Sequence, residues 1–376
     1  MPVTARQLNR TTLARQMLLR RERTGVVEVV RRVLALQAQE PPSPYLALWN
    51  RIAGFDPVEV DEAFAGAGLV KASLMRITLH AVAGEDYSIL HEAMLPNLRA
   101  ARLNDRRFTS TGLSIPEVDA VIPGLVAFAA EARTRSDIEA MLAENLGSPL
   151  DCHVWWALRT FAPLVHAPTG GPWSFGRHPS HVAAPDGPRP APEEALQALI
   201  RRYLEAFGPA SAADFAQFAM QRQSEIRPAL EATGDTVRTV QGPDGTTLLD
   251  VSGTPIADED AAAPPRLLGM WDNVLLAYKD RARVIPDEYR PWVIRRNGDV
   301  LPTLLVDGYV AGVWRPVAGG IEATAFRSLP DAAWEGLAAE AASLLAILDD
   351  RDPGVYGRYR NWWERLPEGK VRVLGG

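Results

Sequence analysis

Two glutamines separated by a single residue, Gln37 and Gln39, are the part of this 376-residue sequence best suited to chemistry. Their amides donate and accept hydrogen bonds but do not titrate at neutral pH, so they can position a reactant without acting as bases. Glu40 follows directly, before a pair of prolines, and is the rival candidate for a base. A simpler interpretation is that the amides only satisfy loose backbone groups at a helix end.

An apolar helix is predicted to carry this pair. The run Val26–Gln37 is strongly apolar, and because proline cannot continue a helix, residues 37–40 are expected at or just past a helix C-terminus. The aromatic residues Tyr45 and Trp49 follow closely. The pattern therefore predicts a polar site at the rim of a core.

Composition and motifs exclude several kinds of site. The single cysteine, Cys152, leaves no disulfide framework and no cysteine-based metal site, and the six histidines lack an HExxH-like spacing. The sequence has no P-loop, dinucleotide fingerprint, GxSxG elbow or zinc-deaminase signature. No metal and no cofactor are therefore expected. The sequence also shows no signal-peptide h-region and no apolar stretch of membrane-spanning length, so a soluble cytoplasmic protein is expected.

Positive charge gathers locally although the net charge is −6. The mildly acidic balance argues against a generally basic nucleic-acid binder. In the first 32 residues, however, eight arginines face only two glutamates: Arg6, Arg10, Arg15, Arg20, Arg21, Arg23, Arg31 and Arg32, against Glu22 and Glu28. Such a patch fits a DNA-contacting cleft, and it fits a solvated helix face nearly as well.

Helices followed by two short strands recur along the chain. In the first unit, residues 1–130, helices are predicted at Thr4–Arg20, Val26–Gln37, Ser43–Arg51 and Pro57–Ala65. Asp56 is the expected N-cap of the last helix. Leu69–Met75 and Arg76–Val82 then alternate as a β-ribbon does. Helix, helix, helix and a two-stranded wing is the order of a winged helix-turn-helix.

The second unit, residues 131–190, repeats this order. Ser136 is the expected helix N-cap, with Glu139 at the capping-box position. After a second helix around the Trp155-Trp156 pair, strands are predicted at Leu164–His166 and Trp173–Phe175.

The third unit, residues 191–257, ends in a hairpin turned by Asp244-Gly245. Residues 258–265 resemble a linker, and residues 266–376 form a β-rich region with a closing helix at Asp331–Leu348. Strands are expected there at Asn273–Tyr278, Arg281–Ile285, Trp292–Arg296, Leu304–Val306 and Tyr309–Arg315, with hairpin turns at Asn297-Gly298 and Asp307-Gly308. The expected fold class is α+β.

Two strand segments could contact nucleic acid. Arg76, Thr78 and His80 alternate with apolar neighbours, so they are predicted on one strand face that either touches phosphate or is simply half exposed. The hairpin around Asp307-Gly308 is apolar near its tip, at Val306 and Tyr309. It is either sheet core, packed against the C-terminal helix, or a wedge for the DNA minor groove.

Several motifs together resemble the AlkZ/YcaQ family of winged-helix DNA glycosylases. They are, in order, Leu36-Gln37-Ala38-Gln39, Arg76-Ile77-Thr78-Leu79-His80, Trp173-Ser174-Phe175-Gly176, the run 202–210 and the run 305–315. The resemblance spans nearly the whole chain. It implies about three tandem winged helices and a C-terminal β-rich region, forming a concave DNA-binding body.

The resemblance also implies an activity and a site. The family's catalytic Gln-X-Gln or Gln-X-Asp motif falls on Gln37 and Gln39, with Glu40 in support. The Gln-X-Gln form resembles the branch that protects producers of DNA-alkylating antibiotics. The implied function is a monofunctional, monomeric glycosylase that removes bulky N7-alkylguanine or unhooks interstrand cross-links in double-stranded DNA. The expected DNA contacts are Arg6, Arg10, Arg76, His80, Val306 and Tyr309.

Two alternatives come from other classes of protein. A winged-helix regulator would bind DNA without cleaving a bond, and it would be expected to dimerise on paired half-sites. A drug-sequestering protein would instead stack the antibiotic on its aromatic residues. Release of alkylated base from DNA separates both from a glycosylase.

Overall fold

The computed structural model describes residues 2–367 and 369–375 and shows a mixed α/β fold with antiparallel sheets. The helices of the first half are α1 (Ala5–Arg15), α2 (Val26–Arg32), α3 (Pro42–Trp49), α4 (Pro57–Ala65), α5 (Tyr87–Leu103), α6 (Arg106–Thr109), α7 (Ile115–Phe128), α8 (Arg135–Leu146) and α9 (Cys152–Phe161). The strands are β1 (Leu36–Gln37), β2 (Leu69–Ser73), β3 (Leu79–Ala83), β4 (Arg133–Thr134), β5 (Leu164–Ala167) and β6 (Ser180–Ala183).

These six strands form one sheet in the order β1-β3-β2-β5-β6-β4. The hairpin β2–β3 belongs to the predicted first unit and the hairpin β5–β6 to the second. They join through the pairing of Lys71 with His166. The strands of the first two units therefore share one sheet.

The second half contains a hairpin and a second sheet. Its helices are α10 (Pro192–Phe207), α11 (Ala212–Ala219), α12 (Gln223–Glu231), α13 (Arg290–Val293) and α14 (Asp331–Arg351). Its strands are β7 (Val237–Gln241), β8 (Thr247–Val251), β9 (Arg266–Leu268), β10 (Thr303–Val306), β11 (Tyr309–Val317), β12 (Gly320–Ala325) and β13 (Lys370–Leu374). Strands β7 and β8 pair alone, and the other five form an antiparallel sheet in the order β13-β12-β11-β10-β9.

The helix predicted to run to Gln37 ends five residues earlier, at Arg32. Leu34 adopts a left-handed backbone with φ 75°, which turns the chain out of the helix. Leu36 and Gln37 then pair with Ala81 and His80 of β3. Strand pairing satisfies the backbone that the helix would have satisfied, so the prediction of a helix C-terminus at the glutamines was wrong.

The second unit also differs from its prediction. Thr134, not Ser136, caps α8, because Thr134 lies in extended backbone at the end of β4 and exchanges hydrogen bonds with Asp137. Trp173–Phe175 is not a strand, and the partner of β5 is β6. The N-cap of α4 is Asp56, as predicted.

Three strands expected in the C-terminal region are absent from the described structure. Asn273–Leu275 and Arg281–Arg283 are 3₁₀ turns. The expected strand Trp292–Arg296 begins inside the short helix α13. Asp272 and Asp280 accept hydrogen bonds from backbone N–H groups two residues on, which favours a turn over an extended strand. The hairpin β10–β11 is confirmed, with positive φ at both Asp307 and Gly308.

Strand β1 lies where two hydrophobic cores meet. Leu36 and Ala38 belong to the core that includes the five-stranded sheet and α14. Leu34 and Ala35 belong to the core built around α5, α9 and α10. The Gln-X-Gln segment is therefore held from both sides. No helix in the described part of the chain is long and apolar enough to cross a membrane.

Candidate functional site

Gln37 is held on β1 with its side chain largely inside the protein. It pairs with His80 on β3, and the next link between the strands is the bond from Ala38 N–H to Leu79 O at 2.8 Å. Only 5% of Gln37 is exposed. Because directly paired strand residues point to the same side of a sheet, Gln37 and His80 share a face.

Arg76 fixes the orientation of the Gln37 amide. The Arg76 guanidinium donates from Nη2 to Gln37 Oε1 at 2.8 Å, and Thr78 Oγ1 lies 3.5 Å from the same oxygen. Arginine has donors only, so the amide atom facing it must be the oxygen. The Nε2 group has no hydrogen-bond partner among the described residues. Gln37 therefore presents a donor, not a carbonyl, to anything that binds there.

His80 forms a hydrogen bond with Arg76. Its Nδ1 lies 3.0 Å from Thr78 O, an acceptor, so Nδ1 carries the hydrogen and Nε2 accepts from Arg76 Nη2 at 3.2 Å. Burial, and then the charge of Arg76, lowers the pKa of His80 to about 3. His80 is 0% exposed. It is therefore a neutral group that accepts from Arg76, and its burial does not favour the predicted contact between His80 and DNA.

The turn that carries Arg76 has an unusual backbone. Arg76 and Ile77 both have positive φ, 54° and 57°, a conformation that is costly for a β-branched residue. This turn replaces the extended strand expected across Arg76, Thr78 and His80. The guanidinium also lies 5.1 Å from the Phe218 ring centroid. Backbone and ring together keep Arg76 on Gln37.

Arg76 carries its charge in a poorly solvated place. Burial, and then the neighbouring Arg281, lowers the pKa of Arg76 to about 9. Within the described ranges no carboxylate lies within 4 Å of it, and its Nη1 is buried without a partner. The Gln37 carbonyl is thus the main group that stabilises this cation.

Gln39 and Glu40 differ from Gln37 in their surroundings. Gln39 is exposed, and none of its side-chain atoms forms a hydrogen bond with a described residue. Glu40 is partly buried, forms an ion pair with Arg358 and accepts a hydrogen bond from the Tyr359 hydroxyl at 2.9 Å. Burial raises the pKa of Glu40, while Tyr359 and Arg358 oppose that rise. The free side chain of the motif is Gln39.

Sequence patterns did not single out Lys71. It is only 4% exposed, lies 4.5 Å above the Phe175 ring, and burial lowers its pKa to about 8. Lys71 pairs with Ala81, the neighbour of His80. Because neighbouring strand residues point to opposite faces, the Lys71 side chain lies on the face of the sheet opposite to Gln37. The sequence feature that could have revealed this buried lysine is its position as the one charged residue in the apolar run Leu69–Ala72.

The predicted DNA contact by Arg10 does not fit its position. Arg10 is 0% exposed, donates from Nε to Ala261 O at 2.8 Å, and pairs with Asp307. Arg6 remains partly exposed, but its guanidinium is bidentate on Asp307 at 2.9 and 3.1 Å. Both arginines hold the hairpin β10–β11 against α1. The buried, ion-paired position of Arg10 does not favour the predicted contact with phosphate.

The hairpin tip is covered. Val306 is buried, and Asn9 of α1 donates from Nδ2 to Gly308 O at 2.8 Å. The ribbon is sheet core, packed at its tip on α1 and not on the C-terminal helix. The burial of Val306 favours the sheet-core alternative over the minor-groove wedge. Tyr309 is partly exposed and lines a cavity of about 530 Å³, together with Arg283.

One small cluster could ligate a metal ion. The ligand atoms of Asp151, Cys152 and His153 lie within 4.8 Å of one another at the start of α9. Asp151 Oδ1 already accepts from the His153 backbone N–H at 2.8 Å as the N-cap of that helix. Helix capping accounts for this arrangement.

Known proteins resemble this chain along nearly its whole length. The family described as DNA glycosylase AlkZ-like matches residues 30–347. A Streptomyces sahachiroi protein named interstrand DNA cross-link repair glycosylase is 31% identical over 369 residues, covering 90% of this chain and 95% of the relative. The solved structure of Streptomyces sahachiroi DNA glycosylase AlkZ has a TM-score of 0.77 at 24% identity, covering 93% of this chain and 98% of that chain. This chain and AlkZ share a fold.

Proposed function

The chain belongs to the AlkZ-like family of DNA glycosylases, and we propose that it excises bulky N7-alkylguanine from duplex DNA and unhooks interstrand cross-links. Family membership makes it an enzyme that hydrolyses N-glycosyl bonds. The name of the relative, an interstrand cross-link repair glycosylase, supports the cross-link substrate. The proposal includes self-resistance to a DNA-alkylating antibiotic, because the motif has the Gln-X-Gln form.

The chemistry suits a weak catalyst. Hydrolysis of a glycosidic bond passes through an oxocarbenium-like sugar. A guanine alkylated at N7 already carries positive charge, so the bond to its sugar is weakened before the enzyme binds. The remaining tasks are to place a water near the anomeric carbon and to stabilise the developing cation. Uncharged amides can do the first without reacting with undamaged purines.

The two glutamines receive different roles. Gln39 is exposed and free, so its carbonyl orients the attacking water. Gln37 keeps its carbonyl on Arg76 and offers Nε2–H, which donates to the sugar or to the departing base. The Arg76–Gln37 hydrogen bond is the observation that carries this assignment. A mobile amide could turn either atom to the substrate, whereas this one cannot.

The rest of the molecule serves as a DNA-binding body in this proposal. We interpret the helix groups with the hairpins β2–β3, β5–β6 and β7–β8 as tandem winged helices. The four predicted divisions, residues 1–130, 131–190, 191–257 and 266–376, remain part of this interpretation. We infer that the enzyme acts as a monomer in the cytoplasm, since a single lesion needs no two-fold symmetry.

A base-release assay tests the proposal. Purified protein is incubated with duplex DNA carrying one N7-alkylguanine, and alkali-labile abasic sites are measured against the same unmodified duplex. The expected result is strand cleavage at the lesion alone. DNA binding without abasic sites would instead identify a regulator. Binding of the free alkylating compound without any base release would identify a drug-sequestering protein.

Self-resistance needs a separate measurement. A bacterial strain lacking its own alkylation-repair glycosylases is transformed with this chain or with its Gln39→Ala variant. Survival on a DNA-alkylating antibiotic should rise with the unchanged chain only. Equal survival of the two strains would remove self-resistance from the proposal and leave the base-release result untouched.

A further inference from the structure

The C-terminal 3₁₀ segment, Gly357–Arg365, contacts Glu40, the residue that follows the Gln-X-Gln motif. Its Arg358 forms an ion pair with Glu40, and its Tyr359 donates a hydrogen bond to the same carboxylate at 2.9 Å. These residues are more than 300 positions apart in sequence and meet beside Gln39. A distant segment therefore holds the carboxylate that follows Gln39 in the sequence.

The two partners of this ion pair are unequally exposed. The Arg358 side chain is 67% exposed, whereas the Glu40 side chain is 13% exposed. Arg358 therefore retains donors that face solvent beside Glu40, the residue that follows Gln39. Arg360 is also exposed, and no described carboxylate lies within 4 Å of it. The 3₁₀ segment thus presents two arginines to solvent, and one of them is paired with the residue that follows the motif.

Phosphate competes well for such an arginine. A guanidinium binds phosphate and carboxylate through the same fork of N–H donors, and it binds them more strongly than a lysine would. Duplex DNA brought to Gln39 places its backbone phosphates within the same region. The competition is between a single carboxylate and a polyanion whose binding also releases counterions.

We propose that Arg358 is a DNA-phosphate ligand that leaves Glu40 when DNA binds, so that docking of DNA and release of the Glu40 carboxylate are one event. This step rests on the proposed function, because the substrate is DNA. In the free protein the carboxylate is neutralised by Arg358. In the complex it is held by Tyr359 alone, and its negative charge stabilises the oxocarbenium-like sugar.

A double-mutant cycle on DNA affinity tests the exchange. Dissociation constants for an undamaged duplex are measured over a series of salt concentrations for Glu40→Gln, Arg358→Gln and the double variant. Removing the competing carboxylate should tighten binding by Glu40→Gln roughly two- to fivefold. Arg358→Gln should weaken binding and lower the slope of log K against log salt by about 0.9. In the Arg358→Gln background, the Glu40→Gln substitution should no longer increase DNA affinity.

Arg360→Gln is the matched control. It removes an exposed arginine of the same segment that has no described carboxylate partner, so the gain from Glu40→Gln should persist in its background. If that gain also persists in the Arg358→Gln background, Glu40 merely repels DNA and the exchange is refuted. An unchanged salt slope for Arg358→Gln would refute the phosphate contact itself.

Two further measurements keep the outcome clear. Melting temperatures of all variants identify any loss of fold, which an ion-pair exchange does not require. Because affinity for undamaged DNA is measured without base release, the cycle can fail while the glycosylase proposal stands. On damaged duplex, Glu40→Gln should lower the excision rate while binding more tightly. A variant that binds more tightly and excises at the unchanged rate would refute the role of the released carboxylate.

Discussion

The amide of Gln37 is held by a hydrogen bond and the amide of Gln39 is free, and this difference is the basis of the different roles proposed for them. Gln37 is restrained by a guanidinium that is itself restrained by a neutral histidine. Such positioning lowers a barrier because no reorganisation is needed when charge develops. The Gln39 side chain is not restrained by any hydrogen bond to a described residue, so it can change rotamer to bind a water molecule.

Alanine at either glutamine should leave the fold intact and lower excision. Gln39→Ala should cost on the order of 100-fold in kcat, because one water-positioning dipole is lost. Gln37→Ala should act similarly and, in addition, leave Arg76 without its main acceptor, so its melting temperature should fall more. Single-turnover excision and thermal melting measure the two effects. Wild-type rates from both variants would contradict the assignment, and Glu40 would be tested next.

Buried histidines should make the protein sensitive to acid. Burial lowers the pKa of His80 to about 3 and of His91 and His181 to about 4. The unfolded chain binds protons near pH 6.5, so stability is fully present above that pH and is lost as pH falls toward the folded values. Each histidine contributes at most about 1.4 kcal/mol per pH unit.

Replacing a buried histidine should therefore flatten this dependence. The free energy of unfolding of His80→Gln, measured by denaturant between pH 6.5 and 4.5, should fall less steeply than that of the unchanged chain. Exposed His178 gives the control variant His178→Gln, whose slope should match the original. Parallel curves for all three proteins would show that His80 titrates normally in the fold.

At the scale of elements, local rules predicted the hairpin β10–β11 and the N-cap of α4, but they missed the strand that carries Gln37. The Asp307-Gly308 turn and the Asp56 cap follow from short-range preferences. Strand β1 has two residues at the end of an apolar run, and its partner β3 lies more than 40 positions away. No periodicity can show such pairing. For the same reason the Arg76–Gln37 contact was invisible in the sequence.

The hairpin tip should contribute to stability because it is packed against α1. Gly308 has φ 79°, and a Cβ there would fall against Asn9 and Arg10. Gly308→Ala should therefore cost roughly 2–4 kcal/mol of unfolding free energy. At Gly298, φ is 90° and no atom lies within 4 Å of an added Cβ, so Gly298→Ala should cost roughly 1–2 kcal/mol.

Denaturant unfolding of these two variants separates backbone strain from packing. Strain is common to both positions, so the difference between them reports the contact with α1. Equal losses would mean that the tip is free of α1 in solution. In that case the tip would be available to insert into DNA.

At the scale of the whole molecule, ion pairs join segments that are distant in sequence. The side chains of Arg51 and Asp272 are both 0% exposed and form two hydrogen bonds of 2.8 and 2.9 Å. Arg15 likewise reaches Asp250 on β8 at 2.7 Å. The Arg15–Asp250 pair connects α1 to the third predicted unit, residues 191–257. The Arg51–Asp272 pair connects the end of α3 to the C-terminal region, residues 266–376. The divisions read from the sequence are therefore closely packed together.

Breaking the buried pair should be far more costly than breaking a surface pair. Asp272→Ala leaves the Arg51 charge inside the protein and should lower the free energy of unfolding by about 3–5 kcal/mol. Glu139→Gln breaks an exposed pair with Arg135 within α8 and should cost about 0.5 kcal/mol or less. Denaturant midpoints measure both. Similar losses would mean that water reaches Arg51.

The restrained and free amides also differ in the substitutions that the chain can accept. A carboxylate at position 37 would face Arg76 inside the protein and be neutralised there, adding an ion pair but no base. A carboxylate at position 39 would meet solvent and stay able to take a proton from water. The Gln-X-Asp form of the motif has its carboxylate at this second position. Under the roles proposed above, exchanging Gln39 for Asp would add a base at the surface and would require no compensating change in the protein interior.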